Sequence, residues 1–116
     1  MKLAVVGSRT FSDYDLLKSK LNEIQTASGK ITQINSGGAF GADRLAERYA
    51  VEYSIPTRIF LPDWNKYGKR AGPLRNEEII KCSDKVVAFW DGKSPGTLSS
   101  INLAKKYNID PQIVLF

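Results

Sequence analysis

Short apolar, β-branched segments alternate along this chain with segments whose apolar residues recur at helical spacing. The resulting order, β-α-β-α-β-α-β-α-β, predicts an α/β fold: a doubly wound, mainly parallel five-stranded sheet with about four helices, joined by right-handed crossovers. The pattern predicts strands at 2–6, 31–35, 57–61, 84–89 and 112–115, and helices at 13–26, from 42 to just before 55, 73–81 and 97–107.

Length and composition limit the class of protein. The 116 residues, 42% hydrophobic and 25% charged, are enough for a core without metals or disulfides, and no linker or repeat divides them. We therefore expect one domain, residues 1–116. No apolar run has the length of a membrane span, and the apolar part of the N-terminus is too short for a signal peptide. A cytoplasmic protein without a membrane partner is expected.

Two residue types restrict the possible chemistry. The chain has no histidine, which excludes Ser-His-Asp and Cys-His catalysis and histidine metal sites. Its single cysteine, Cys82, excludes an internal disulfide and a multi-cysteine metal site. We predict neither a metal nor a cofactor. The net charge of +5 suits anionic ligands, although its spread along the chain is more typical of solvated surface.

A glycine-rich turn, S-G-G-A-F-G-A-D, follows the second predicted strand and opens a helix. Glycines let the backbone approach a ligand, and a new helix offers unpaired N–H groups to an anion. The alternative is an ordinary turn that needs glycine for its geometry alone. Asp43, in the first helical turn, could accept from ribose hydroxyls or stabilise the helix dipole, and the two roles can coexist.

Two further loops, Gly7–Phe11 and Trp90–Thr97, also follow predicted strands. Because the carboxyl ends of parallel strands share one edge, all three loops should meet at the topological switch point, where ligands bind. Arg9 can pair bidentately with a phosphate, unless it is simply a solvated surface arginine. The chain has neither a dinucleotide fingerprint nor a P-loop.

The segment A-G-P-L-R-N places Arg75 and Asn76 in the first turn of a predicted helix. A cation there opposes the helix dipole, which hints at an anionic partner. The alternative is an ion pair between Arg75 and Asp63 or Glu78.

Three aromatic residues, Trp64, Tyr67 and Trp90, are predicted in loops near the same edge. Any of them could stack on a nucleobase. Core packing is the alternative, and we expect it for at least one.

Four motifs occur in order between Val6 and Ala104: G-S-R-x-F, S-G-G-A-x-G-A-D, G-x-x-A-G-P-x-R-N and G-x-x-x-G-T. Together they resemble the YspA/YpsA-related branch of the SLOG superfamily. The resemblance implies a Rossmann-like domain that binds nucleotides or nucleotide-derived ligands. Relatives include LOG-type phosphoribohydrolases, the DNA-processing protein A family and SLOG sensor domains that read ADP-ribose-type signals.

One position departs from the LOG enzymes. Gly96 and Thr97 match their P-G-G-x-G-T-x-x-E signature, but the glutamate position is Ser100 and the preceding P-G-G is not preserved. A serine cannot act as that carboxylate. We therefore leave enzymatic activity open and lean against it, since Glu77, Glu78 or Asp91 could substitute only with suitable geometry.

Our leading hypothesis is a nucleotide-binding sensor or sequestering protein for ADP-ribose, a cyclic ADP-ribose-like compound or a mononucleotide. Arg9 and Arg75 would neutralise phosphate and Asp43 would bind ribose. A LOG-like nucleotide N-glycosidase and a nucleic-acid-binding protein are the alternatives. Homo-oligomers could form through Leu16, Leu17 and Leu21 or through Tyr49, Ala50 and Tyr53. The predicted ligand-binding residues are Gly7, Ser8, Arg9, Ser36, Gly37, Gly38, Gly41, Asp43, Arg75, Asn76, Trp90, Ser94, Gly96 and Thr97.

Overall fold

A computed structural model describes residues 1–116 and contains the predicted sheet of five parallel strands. The strand order is β3-β2-β1-β4-β5, so the prediction of a doubly wound, Rossmann-like α/β fold is confirmed. The strands are β1 (Lys2–Gly7), β2 (Gln33–Ser36), β3 (Thr57–Ile59), β4 (Lys85–Trp90) and β5 (Gln112–Leu115).

Four helices connect the strands, and a short fifth helix precedes one of them. The bounds are α1 (Tyr14–Ser28), α2 (Ala42–Glu52), α3 (Trp64–Tyr67), α4 (Ala71–Lys81) and α5 (Pro95–Lys106). Asp13 begins α1, because its carboxylate accepts from the Leu16 N–H at 3.0 Å. None of these helices is both long and apolar enough to span a bilayer.

The sheet is covered on both faces. Leu3 and Val5 of β1 pack on the α1 and α2 side, whereas Ala4 and Val6 pack on the α4 and α5 side. This alternation follows from the two-residue period of a strand. Apolar side chains fill both faces, so burial on each face stabilises the sheet.

Most of the residues that we predicted for pairing between copies lie inside this core. Leu17, Leu21, Tyr49 and Ala50 are at most 1% exposed, so the chain itself already covers them. Leu16 is only partly buried, and Tyr53 is 40% exposed. Homo-oligomerisation stays a prediction.

The segment between β3 and α4 differs from the predicted loop. Asp63 accepts from the Lys66 N–H at 3.1 Å and begins α3, and a 3₁₀ turn, Gly68–Arg70, leads directly into α4. Because α4 begins at Ala71, Arg75 is its fifth residue. The prediction that Arg75 and Asn76 lie in the first turn is wrong, and the dipole argument for an anionic partner no longer applies to them.

Close packing joins the ends of β1 and α2 beside the switch point between β1 and β4. Gly41 has a φ of 80° and a ψ of −128°, and a Cβ built on it would lie 2.3 Å from the Ser8 carbonyl oxygen. Only glycine fits both the conformation and the space.

We expect Gly41→Ala to destabilise the fold by at least about 2 kcal/mol, since backbone strain of this kind costs roughly 1–3 kcal/mol before the clash is added. The matched control is Gly72→Ala, whose new Cβ would make only an ordinary 3.5 Å contact inside α4. That control should keep or slightly raise stability. Urea denaturation measures both, and equal stabilities would contradict the packing argument.

Candidate functional site

A cleft of about 380 Å³ opens beyond the carboxyl ends of β1 and β4 and is lined by sixteen residues, of which three are hydrophobic. This is the edge where we expected the three loops to meet. The cleft brings together ten of the fourteen predicted site residues: Gly7, Ser8, Arg9, Gly37, Asp43, Arg75, Asn76, Ser94, Gly96 and Thr97.

The other four predicted residues, Ser36, Gly38, Gly41 and Trp90, do not line the cleft. Ser36 is buried at the end of β2, and Gly38 and Gly41 shape the turn that follows. The Trp90 side chain packs against the core on the α4 and α5 side, and its Nε1–H donates to the Ser94 carbonyl at 3.1 Å. These four support the loops that form the cleft.

Six lining residues were not predicted: Val6, Thr10, Ala39, Ile79, Pro95 and Ser100. Helical spacing was a usable signal for two of them. Ile79 lies four residues after Arg75 on α4, and Ser100 lies three residues after Thr97 on α5. Residues three or four apart share a helix face, so Ile79 could have been inferred from Arg75, and Ser100 from Thr97.

Arg75 is half-buried and joins two loops. Its Nη1 donates to the Gly37 carbonyl at 3.0 Å and to the Phe60 carbonyl at 3.3 Å, while its Nε donates to Asn76 at 2.9 Å. It forms no ion pair with Asp63 or Glu78, so that alternative is wrong. Burial lowers the pKa of Arg75, the Asp43 charge raises it, and the Arg9 charge lowers it. The two arginines therefore repel each other across the cleft.

Gly37 leaves the space that the Arg75 guanidinium occupies. A Cβ built on Gly37 would lie 2.6 Å from Nη1 of Arg75 and 3.1 Å from Oδ2 of Asp43. Because the guanidinium ends a flexible side chain, it would move away from any larger residue at position 37. The glycine therefore fixes the position of the cation in the cleft.

Asp43 is the one carboxylate in the cleft lining. It is 8% exposed, and its Oδ2 accepts from the Ala39 N–H at 3.1 Å. Burial raises its pKa to about 6, against the lowering effects of the Ala39 N–H, Arg75 and the Gly37 N–H; nearby Glu47 raises it further. Asp43 therefore orders the glycine-rich turn from within, and its carboxylate occupies the start of α2.

The start of α5 is differently arranged. Asp91 accepts from the Ser94 N–H at 2.8 Å and the Lys93 N–H at 2.9 Å, and these bonds hold the pKa of Asp91 at about 2. The first turn of α5 contains no acidic residue, and Gly96 and Thr97 face the cleft. The positive end of this helix is the better anion site of the two.

No glutamate replaces the missing LOG carboxylate in the cleft. Ser100 is 3% exposed and lines the cleft, whereas Glu77 and Glu78 line a neighbouring groove. Asp91 lies outside the lining and is held by the β4–α5 loop.

The sequence matches the model of the YspA, cpYpsA-related SLOG family over residues 1–67. This chain belongs to that family. It is also 31% identical over 114 residues to Gene 61 protein of Mycobacterium phage D29, covering 93% of this chain and 91% of the phage protein. The predicted resemblance to SLOG proteins is thereby confirmed.

Two solved structures of DNA processing protein A share the fold. The Helicobacter pylori protein, described for its unique single-stranded DNA binding mode, has a TM-score of 0.72 at 25% identity, over 97% of this chain and 64% of its own. The Streptococcus pneumoniae protein has a TM-score of 0.73 at 23% identity, over 97% of this chain and 49% of its own. The chain therefore spans 64% and 49% of the length of these two larger chains.

The raised pKa of Asp43 makes stability depend on pH. Between about pH 4 and pH 6 the folded chain holds a proton that the unfolded chain releases, so Asp43 makes the fold less stable as pH rises through this window. We expect the free energy of unfolding of Asp43→Asn, relative to that of the parent, to be higher at pH 7.5 than at pH 4 by up to about 3 kcal/mol. Urea denaturation at both pH values measures this. If the stability difference between variant and parent were the same at both pH values, the raised pKa of Asp43 would be contradicted.

Proposed function

We propose that this protein binds single-stranded nucleic acid and holds one backbone phosphate in the cleft between Arg9 and Arg75. The observation that carries the proposal is the presence of both arginines and the start of α5 in one polar cleft. None of the three ion pairs in the chain includes either arginine. An anion between them would relieve their mutual repulsion and accept hydrogen bonds from α5.

Size and charge favour a single strand over a duplex. A cleft of about 380 Å³ is large enough for a nucleotide and too small for the body of a double helix. The net charge of +5 favours a polyanion. The likeness to the Helicobacter pylori protein supports the same ligand class, because single-stranded DNA binding is described for that protein. We also propose that residues 1–116 form one binding unit and that the protein acts in the cytoplasm.

A free nucleotide-derived ligand, such as ADP-ribose, a cyclic ADP-ribose-like compound or a mononucleotide, is the second candidate. The observation that favours it is the buried Asp43 carboxylate, a hydrogen-bond acceptor for ribose hydroxyls. Dependence of affinity on oligonucleotide length separates the two, since a mononucleotide site gains nothing from further nucleotides. An N-glycosidase would have to use Asp43 as its carboxylate, and release of free base would reveal it.

We expect Arg75→Ala and Arg9→Ala each to weaken binding of a labelled ten-residue oligothymidylate at least tenfold. Each should also lower the slope of log affinity against log salt by about 0.7, the value for one phosphate contact on a single strand. Fluorescence anisotropy at several salt concentrations measures both quantities. The matched control is Arg48→Ala, an exposed arginine of α2 outside the cleft. Equal losses in all three variants would indicate a diffuse charge effect and contradict a defined phosphate site.

Gly37→Ala tests the same site without removing a charge. The new Cβ would displace the Arg75 guanidinium, so we expect binding to fall by a factor close to that of Arg75→Ala while the fold remains. Gly72→Ala again serves as the control. Unchanged affinity of Gly37→Ala for the oligothymidylate would show that the position of Arg75 does not matter for binding.

A further inference from the structure

A second groove, of about 410 Å³, adjoins the cleft and shares Arg75 with it. Its other walls come from the segment after β3 and from α4. Tyr67, Arg70 and Leu61 form the outer side. Arg75 donates to the carbonyl of Phe60, the residue before Leu61 of the groove. The groove therefore begins at Arg75, the arginine that we propose to bind the phosphate.

The charges of this groove do not suit a second phosphate. Three cations line it, Arg70, Arg75 and Lys81, and three carboxylates balance them, Asp63, Glu77 and Glu78. The cleft, in contrast, has two arginines against a single carboxylate that titrates near pH 6. A ligand group that fits the groove should therefore be neutral overall and should carry hydrogen-bond donors for the carboxylates. Nucleobases with exocyclic amino groups have this chemistry.

An exposed aromatic surface adjoins the groove, formed by Tyr67 of its lining and by Trp64 outside the lining. Tyr67 is 42% exposed and Trp64 is 59% exposed, and they lie three residues apart on α3, so they share one face of that helix. No residue of α3 is buried, which means that these aromatic rings contribute little to the core. Exposed aromatic residues rimmed by polar groups mark binding surfaces.

Cations are interleaved with these rings. The Lys66 ammonium lies 5.2 Å from the centre of the Tyr67 ring, and Lys69 and Arg70 follow Tyr67 by two and three residues. Aromatic side chains beside a basic track are the arrangement that binds single strands through base stacking. A purely apolar partner would not require this charge.

We propose that the groove bounded by Tyr67 is a nucleobase subsite, which receives the base next to the phosphate held by Arg75. Trp64 extends the stacking surface on the same face of α3. The subsite rests on the proposed binding of single-stranded nucleic acid and adds that the protein recognises at least two consecutive nucleotides. It thereby selects an oligonucleotide over a mononucleotide.

The test compares Tyr67→Ala with Tyr53→Ala. Tyr53 is 40% exposed, close to Tyr67, but it lies at the far end of α2 from the cleft. The probes are labelled tetradeoxyadenylate and dAMP. We expect Tyr67→Ala to bind the tetranucleotide at least about fivefold more weakly, the low end for one stacked base. Its affinity for dAMP should stay within about twofold of the parent, and Tyr67→Phe should retain tetranucleotide binding.

The outcomes separate this subsite from the proposed function. Equal tetranucleotide affinities for the parent, Tyr67→Ala and Tyr53→Ala would overturn the subsite and leave the phosphate site standing. An equal loss for dAMP and the tetranucleotide in Tyr67→Ala would also overturn it, because the stacked base would then belong to the cleft nucleotide itself. If the parent binds no tetranucleotide at low salt, the proposed function fails as well. Circular dichroism of each variant checks that the fold is retained.

Discussion

The position of the cleft depends on Ser8, a residue only 2% exposed that connects three loops. Its N–H donates to the Phe89 carbonyl at 2.9 Å, and its hydroxyl accepts from the Asp91 N–H at 3.3 Å. Its carbonyl lies against Gly41, where no side chain would fit. The ends of β1 and β4 and the start of α2 are therefore held at fixed separations. The bond to Phe89 joins two buried residues, so breaking it leaves a polar group without water and costs more than the bond contributes.

Electrostatics then divides the cleft into two unequal sides. On the α2 side the dipole is already met by Asp43, whose carboxylate lies in the first helical turn and accepts from the Ala39 N–H. When it is ionised, that carboxylate repels a second anion at the same helix terminus. On the α5 side the first helical turn contains no acid, and Arg9 and Arg75 add full positive charges. The nearby Asp91 carboxylate is bonded to the Ser94 and Lys93 N–H groups and does not line the cleft. The charges therefore favour an anion on the α5 side of the cleft, although the glycine-rich turn after β2 has the more conspicuous sequence.

Periodicity predicts what depends on neighbours along the chain. It placed β5 at its observed bounds, Gln112–Leu115, and it brought the loops after β1, β2 and β4 to one edge. It missed α3, because four residues capped by Asp63 carry no apolar period. It also misplaced Arg75 in α4, since the predicted helix began at Pro73, whereas Ala71 and Gly72 precede the proline in the first helical turn. The hydrogen bond from Arg75 to the Gly37 carbonyl and the packing of Trp90 against the core arise only when distant segments meet, and no local pattern encodes them.

Arg75 links the cleft to the groove through the backbone as well as through its charge. Its two carbonyl partners, Gly37 and Phe60, follow β2 and β3, so the guanidinium holds the ends of two neighbouring strands together. A phosphate that draws this guanidinium toward α5 would pull against both carbonyls, while a base in the groove would press on the segment after Phe60. The two proposed subsites would therefore share the Arg75 side chain, and a ligand group in either one would change its position. The binding free energy of a strand that fills both subsites should therefore differ from the sum of the two separate contributions, because groups with shared partners do not contribute independently.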